Sequence, residues 1–167
     1  MIKQLTLQKA IFTLANINKE LERFNRRFYA NFFGPVAIDG KPIANSNKAQ
    51  ANETDVNQYQ ELINDASNLR QTIAQANNDT QVNGQTMTYQ LEWLRQTRNL
   101  ITQLERVLER QEVRVENGVG VVEYNAYSEP FVQDTLTKLT KAVNQLSTQI
   151  DQVNAQTMLT VELVTDI

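Results

Sequence analysis

The chain has 167 residues and a formal charge of −3, and it contains neither cysteine nor histidine. This composition excludes disulfides, thiolate zinc sites, cysteine nucleophiles and imidazole bases within the chain. The scattered basic residues predict no binding to duplex nucleic acid, and the lack of a long apolar run or a signal peptide predicts a cytoplasmic protein that does not enter a membrane.

The first predicted element is an amphipathic helix over about residues 6–30, because apolar side chains recur there every three or four positions. Thr6 is a suitable N-cap. Near its end the helix combines arginines with aromatic side chains. These form either a hydrophobic plug where helices meet, with arginines that reach the solvent, or a pocket for a flat or anionic ligand. The ligand-binding candidates in this cluster are Arg23, Phe24, Arg27 and Phe28.

A polar segment of about residues 34–54 comes next, and its length without a helical or strand pattern predicts a mobile loop or lid. A second helix is predicted over about residues 55–77. It ends in an amide-rich loop with Gly84 as the turn residue. Because amide side chains suit the hydrogen-bonding edges of a base or a ribose, Asn77 is a candidate ligand contact.

A third helix is predicted over about residues 86–112, and the short connection before it predicts an antiparallel pair with the second helix. Arg95 and Arg98 lie three positions apart on one side of this helix, with Glu92 as their nearby acid. Because they have no close acidic companion except Glu92, they are ligand-binding candidates. Trp93 lies beside the main apolar stripe and either broadens the core or anchors a subunit contact.

The sequence pattern then changes from helical to alternating. Asn117-Gly118 stands between two valine-rich arms and predicts a β-hairpin over about residues 113–124. Tyr124 and Tyr127, which lead out of this hairpin, complete the set of ligand-binding candidates.

The fourth predicted helix, over about residues 130–154, carries a heptad stripe typical of a seam between helices. Hydrophilic residues between the stripe positions, among them Gln145, Gln149 and Gln152, face water or a second, polar contact. The β-branched tail over residues 155–167 is predicted to be an arm that lies across a neighbouring subunit. The stripe consists of Leu136, Leu139, Val143, Leu146, Ile150 and Val153.

Together these patterns predict a mainly α fold in one domain, residues 1–167. Its long antiparallel amphipathic helices form a four-helix, coiled-coil-like arrangement with one small β-hairpin. We expect a homo-oligomer that assembles through the first and last helices. No cofactor is predicted, and no metal site either, because the spaced acids and closing glutamate of a calcium loop are missing around Asp79.

Several short fragments stand in a characteristic order and spacing: residues 7–11, Ile73 with Asn77, Gly84 with Thr86, Tyr127-Ser128, and Leu146 with Ile150 and Asn154. In this order they resemble the septicolysin-like family, helical bacterial proteins that are named after a cytolysin and thought to assemble into oligomers. The resemblance covers most of the chain and implies a helical fold and oligomerisation. The chain departs from the family at Ala155, where the family commonly has tryptophan, and keeps only the two ends of a polar run over residues 73–77.

The sequence favours a protein that binds a ligand without catalysis. Its arginines and aromatic residues suit a small anionic, nucleotide-derived signal held between subunits. A protein that only binds such a signal acts by sequestration, as phage-encoded sponges against bacterial immune signalling do. The alternative is a structural or scaffolding helical oligomer, or a septicolysin-like protein, without a small-molecule ligand. An enzyme is not expected, since a carboxylate pair such as Glu105 and Glu109 is better explained as solvated helix charge.

Overall fold

The structure is a computed structural model that describes residues 1–32, 37–42, 46–109, 112–116, 118–123 and 128–165. Over these residues the chain is mainly helical, as predicted, and its short strands pair antiparallel. The helices are α1 (Leu7–Phe32), α2 (Ser46–Asp79), α3 (Met87–Glu109) and α4 (Glu129–Gln156). The strands are β1 (Ile2–Thr6), β2 (Ala37–Ile38), β3 (Lys41–Pro42), β4 (Gln81–Val82), β5 (Gln85–Thr86), β6 (Glu112–Glu116), β7 (Val119–Glu123) and β8 (Met158–Glu162).

The chain forms two compact units. Unit 1 comprises Met1–Ala76 and Asn154–Ile167, and unit 2 comprises Asn77–Val153. The tail, which the sequence predicted to be an arm across a neighbouring subunit, contains β8 instead. This strand pairs antiparallel with β1 of the same chain, with Leu5 opposite Leu159.

The core of unit 1 combines one face of α1, one face of α2 and one face of β8. Along β8 the side chains alternate, so that Leu159 and Val161 are buried while Met158, Thr160 and Glu162 are exposed. This alternation explains why the β-branched tail becomes part of the chain's own core. The buried apolar residues that the two helices contribute are Leu7, Ala10, Ile17, Ala66, Leu69 and Ala76.

A buried carboxylate on α2 fastens the residues that follow β8. Asp65 is fully buried, and it accepts hydrogen bonds from the backbone N–H of Val164 at 2.6 Å and of Thr165 at 2.9 Å. The hydroxyl of Thr165 donates a third bond to the same carboxylate. Because a buried carboxylate without donors is costly, these bonds tie the C-terminal segment to α2 within unit 1.

Asp65→Ala is expected to lower the free energy of unfolding by about 3 kcal/mol, because it removes the buried acceptor of three partly buried hydrogen bonds. Urea unfolding followed by circular dichroism measures this change. The matched control is Asp151→Ala, which removes an exposed carboxylate of α4 and should change the free energy of unfolding by less than about 0.5 kcal/mol. Equal effects of the two substitutions would contradict the fastening role of Asp65.

In unit 2, α4 packs against α3. The middle of the heptad stripe, Val143, Leu146 and Ile150, is buried in this contact. Trp93 lies partly buried against the same core, so it broadens the core, which was one of its two predicted roles. This part of the stripe is therefore covered within unit 2 by the chain itself. The residues that pack against it are Val82, Met87, Leu94 and, partly buried, Ile101.

Two segments that the sequence predicted as polar loops contain tight β-hairpins. In each hairpin both turn residues have a positive φ: Asn83 (53°) with Gly84 (76°), and Asp39 (51°) with Gly40 (74°). Asn-Gly and Asp-Gly are the pairs that two-residue type I′ turns favour, because both positions must adopt the left-handed conformation. The first of these turns connects α2 to α3.

The second helix is longer than predicted. α2 begins at Ser46, so the prediction of a mobile loop or lid over about residues 34–54 is wrong for the part that is helical. The added turns are polar and carry no apolar stripe. An apolar stripe is the signal from which an amphipathic helix is predicted, so these turns were not detectable by periodicity. Residues 33–36 and 43–45 lie outside the described residues.

Threonine hydroxyls cap the first turns of two helices. The backbone N–H of Lys9 donates to Thr6 Oγ1 at 3.1 Å, which confirms the predicted N-cap of α1. The backbone N–H of Tyr89 donates to Thr86 Oγ1 at 3.2 Å at the start of α3. None of the helices in the described part of the chain is long and apolar enough to cross a membrane.

In the valine-rich segment, β6 and β7 pair antiparallel, with Val115 opposite Gly120. Gly118, in the turn between them, has a φ of 81°. The other predicted turn residue, Asn117, lies outside the described residues.

Gly84→Ala is expected to lower the free energy of unfolding by about 1 kcal/mol, because alanine is strained at a positive φ. No atom lies within 4 Å of the added Cβ, so the cost is conformational rather than steric. Gly120→Ala is the control, since its Cβ would also meet open space but its φ is not positive. Thermal unfolding of both variants checks the difference, and a loss of stability in Gly120→Ala as large as in Gly84→Ala would contradict this explanation.

Candidate functional site

The predicted arginine and aromatic cluster lies in unit 1. The ring of Phe24 stacks on that of Tyr59 from α2, with the centroids 4.5 Å apart, and lies tilted against Phe28 at 6.0 Å. The hydroxyl of Tyr59 donates a hydrogen bond to Asn25 Oδ1 at 3.0 Å. The aromatic side chains therefore contact one another between α1 and α2, and they include Tyr59, which was not among the predicted site residues.

The guanidinium groups of this cluster are exposed. Arg23 donates from Nη1 to Glu20 Oε1 at 2.6 Å, an ion pair on the helix surface that contributes little to stability. Arg27 has no ion-pair partner among the described residues. Its positive charge is therefore the one in the cluster that is most available to a ligand.

The two candidate arginines of α3 have different partners. Arg95 donates two hydrogen bonds to the carboxylate of Glu92, at 2.8 and 2.7 Å. Arg98 donates from Nη2 to the hydroxyl of Ser147 on α4 at 2.9 Å. Arg95 is thus paired with an acid of its own helix, whereas Arg98 links α3 to α4 through a neutral partner and has no ion-pair partner in the described part of the chain.

The hydrogen bonds from Arg95, and then that from Gln96, lower the pKa of Glu92 from 4.5 to about 2. Because the folded-state pKa is depressed, the stabilisation from this pair is present above about pH 4.5 and is lost as the pH falls towards 2. We expect an NMR titration of the side-chain carboxyl carbon to show this pKa, and Arg95→Ala to raise it towards 4.5. Arg98→Ala is the control, and a similar rise there would assign the shift to the general charge of α3 rather than to the pair.

A groove of about 730 Å³ lies in unit 2 between the β4–β5 turn, α3 and α4. Its described lining is uncharged and combines an indole and a phenol with amides, one hydroxyl and two aliphatic side chains. The volume falls within the range of small-molecule sites, roughly 300 to 1,000 Å³. The lining residues are Asn83, Tyr89, Gln90, Trp93, Ala142, Gln145, Leu146, Thr148, Gln149 and Gln152.

Helical spacing brings these side chains to one side of the α3–α4 core. Tyr89 and Trp93 lie four positions apart on α3, and Gln145, Gln149 and Gln152 lie four and three positions apart on α4. Trp93 is held by its partial burial against the core, whereas Tyr89 is 54% exposed. The groove therefore has one partly buried aromatic ring, one exposed aromatic ring and a row of amides opposite them.

The amides at the turn end of the groove are ordered by hydrogen bonds. Asn83 Nδ2 donates to Gln149 Oε1 at 2.7 Å, and the buried Gln90 donates from Nε2 to the carbonyl of Val82 at 2.9 Å. Each primary amide has both an acceptor oxygen and a donor nitrogen. The bond between Asn83 and Gln149 therefore leaves the Asn83 oxygen as an acceptor and the Gln149 nitrogen as a donor for a ligand.

The described lining of the groove does not include the predicted ligand-binding residues. Arg98 lies roughly 140° around α3 from Trp93, on the other side of the core stripe. Asn77 is half-buried near the end of α2. Tyr124 and Tyr127 lie outside the described residues.

The sequence contained signals of the groove that the site prediction did not use. The pattern of α4 predicts that its three glutamines face water or a second polar contact, and Trp93 lies beside the apolar stripe of α3. Periodicity shows that each set shares a helix flank, but it does not show which flank of α3 faces which flank of α4. The Asn83-Gly84 turn carries the same Asn-Gly signal that predicted the later hairpin.

Comparisons with known proteins give a fold relative without a function. No family model and no curated protein matches the sequence. Among solved structures, a crystal structure described as that of a functionally unknown conserved protein from Corynebacterium diphtheriae is similar, with a TM-score of 0.72 and 19% sequence identity. The similarity covers 94% of this chain and 99% of that chain, so the fold extends over almost the full length of both.

Proposed function

We propose that the protein is a non-catalytic, oligomeric binding protein that holds a small, anionic, nucleotide-derived signalling ligand. The observation that carries this proposal is the groove of unit 2, where Trp93 and Tyr89 face a row of amides in a depression of small-molecule size. Aromatic faces stack on flat rings, and stacking on a base contributes about 1 to 3 kcal/mol. Amides supply the donors and acceptors that read ring and ribose edges.

Arginines outside the groove supply positive charge for the anionic part of such a ligand. Arg27 is exposed and has no acidic partner among the described residues, and Arg98 is bonded to a neutral hydroxyl. A guanidinium with donors to spare binds phosphate or carboxylate through paired hydrogen bonds. In the proposed oligomer copies of the chain meet around the ligand, and these arginines add positive charge to the surrounding surfaces without contacting its anionic group directly.

Exposed apolar side chains on the first and last helices support assembly through α1 and α4. Phe12 on α1 and Phe131 on α4 are each 60% exposed, and Ile11, next to Phe12, is 42% exposed. Exposed apolar patches commonly mark contact surfaces. The coiled-coil-like stripe of α4 contributes its half-buried end, Leu136 and Leu139, to the same proposed contact. The resemblance to the septicolysin-like family, which also implies oligomers, stays a prediction.

A protein that binds a signal without converting it removes that signal from its receptor. The proposed biological role is therefore sequestration, for example as a phage sponge that withdraws a bacterial defence signal. The second candidate function is a structural or scaffolding oligomer, which the exposed Phe12 and Phe131 would serve equally well. The two functions differ in whether the groove is occupied.

Protein purified from cells is expected to carry a stoichiometric small molecule that absorbs in the nucleotide band. Native mass spectrometry before and after denaturation detects it, and the fluorescence of Trp93, the single tryptophan of the chain, should change when the ligand is added back.

Gln149→Ala should weaken binding about fivefold, the effect of one lost hydrogen bond. Gln71→Ala, an exposed amide of α2, is the matched control. An oligomer that releases nothing and whose fluorescence ignores nucleotides would favour scaffolding.

Phe12→Asp and Phe131→Asp are expected to reduce the oligomer to a smaller species, because each places a charge in the proposed contact. The thermal midpoint of the isolated chain should change little, since both side chains are exposed. Light scattering after size-exclusion chromatography gives the mass. Gln8→Asp, at an exposed position of α1, is the control for added negative charge. Unchanged masses in both phenylalanine variants would exclude α1 and α4 as the contact helices.

A further inference from the structure

We infer that the groove of unit 2 holds the uncharged ring of the ligand, and that the anionic group of the ligand lies outside the groove, next to Lys141. The ring carries a hydrogen-bond donor and an acceptor on one edge, as a nucleobase does. This inference rests on the proposed binding function and specifies how the ligand is divided between two adjacent subsites that share Gln145.

The lining of the groove favours a neutral ring over a phosphate. All ten of its described side chains are uncharged, and they include the indole of Trp93. A phosphate placed among them would lose hydration without gaining a cationic partner, which is unfavourable. A flat neutral heterocycle loses little hydration and gains stacking on Trp93 and Tyr89. The groove is therefore suited to the ring of the ligand rather than to its phosphate.

The hydrogen-bonding groups at the turn end of the groove select the edge of the ring that binds there. The bond from Asn83 to Gln149, 2.7 Å long, fixes two amides and leaves the oxygen of Asn83 to accept and the nitrogen of Gln149 to donate. A ring that presents a donor beside an acceptor can donate to the oxygen of Asn83 and accept from the nitrogen of Gln149. The amino group and ring nitrogen of adenine form such an edge, and each of the other nucleobases has an edge with this alternation.

The surface next to the groove provides a cation for the anionic group of the ligand. A second depression of about 590 Å³ lies along α4, and its described lining contains Thr140, Lys141 and Asn144. Gln145 belongs to both depressions. Lys141 is one helical turn from Gln145, so a group attached to the ring reaches an ammonium and two polar side chains without leaving α4. The ammonium is exposed, and its attraction for an anion is therefore moderate.

The experiment compares adenosine with two probes that each differ from it by one group: AMP, which adds a phosphate, and purine riboside, which lacks the amino donor. Binding to stripped full-length protein is measured by the fluorescence of Trp93 and by calorimetry. Adenosine should bind, AMP should bind no more than about fivefold tighter, and purine riboside should bind about fivefold more weakly than adenosine.

Two variants then separate the subsites. Gln149→Ala should weaken adenosine and AMP to the same extent, about fivefold, because it removes a contact to the ring. Lys141→Gln should abolish the difference between AMP and adenosine. Gln71→Ala, an exposed position in unit 1, should leave all three affinities unchanged.

The outcomes distinguish this inference from the proposed function. AMP binding more than about tenfold tighter than adenosine, or keeping its advantage in Lys141→Gln, would overturn the division into ring and anion subsites while leaving nucleotide binding intact. A single-stranded oligonucleotide binding tighter than AMP would overturn the assignment to a small ligand. If no probe binds and the purified protein carries no ligand, the proposed function itself is refuted.

Discussion

The burial of the α4 stripe against α3 is the constraint on which the candidate site depends. Val143, Leu146 and Ile150 enter a core that Met87 and Leu94 fill from the other helix. A helix places residues three and four positions apart on one flank. Once the apolar stripes of α3 and α4 are packed together, the residues on the adjoining flanks of the two helices therefore face each other across the contact. The groove is thus a consequence of core packing.

Unit 1 depends on a different interaction. Its C-terminal segment is held by strand pairing with β1 and by the buried carboxylate of Asp65, which binds three donors at Val164 and Thr165. Both interactions join residues that are far apart in the sequence. They close unit 1 around the apolar faces of α1 and α2, and they make the tail a part of the core instead of an arm for another subunit.

The two flanks of α3 carry different chemistry, and this difference shapes the functional proposal. One flank presents Trp93 and Tyr89 to the amides of α4, whereas the other presents Arg98 to the hydroxyl of Ser147. In the proposed function the ring of the ligand occupies the uncharged flank and its anionic group lies next to Lys141, whereas Arg98 lies on the other side of the core stripe. The arginines that first suggested an anionic ligand therefore do not have to line the surface that holds its ring.

The sequence by itself determined the four helices, the Thr6 cap and the apolar stripe of α4, because these follow from local spacing and capping chemistry. It also contained the Asn-Gly and Asp-Gly pairs that favour two-residue hairpin turns. Only the tertiary structure decided that the tail joins β1, that Asp65 binds the C-terminal segment, and that Trp93 faces the glutamines of α4. Those outcomes depend on long-range contacts and on the rotation of one helix against another, and periodicity along a single helix fixes neither.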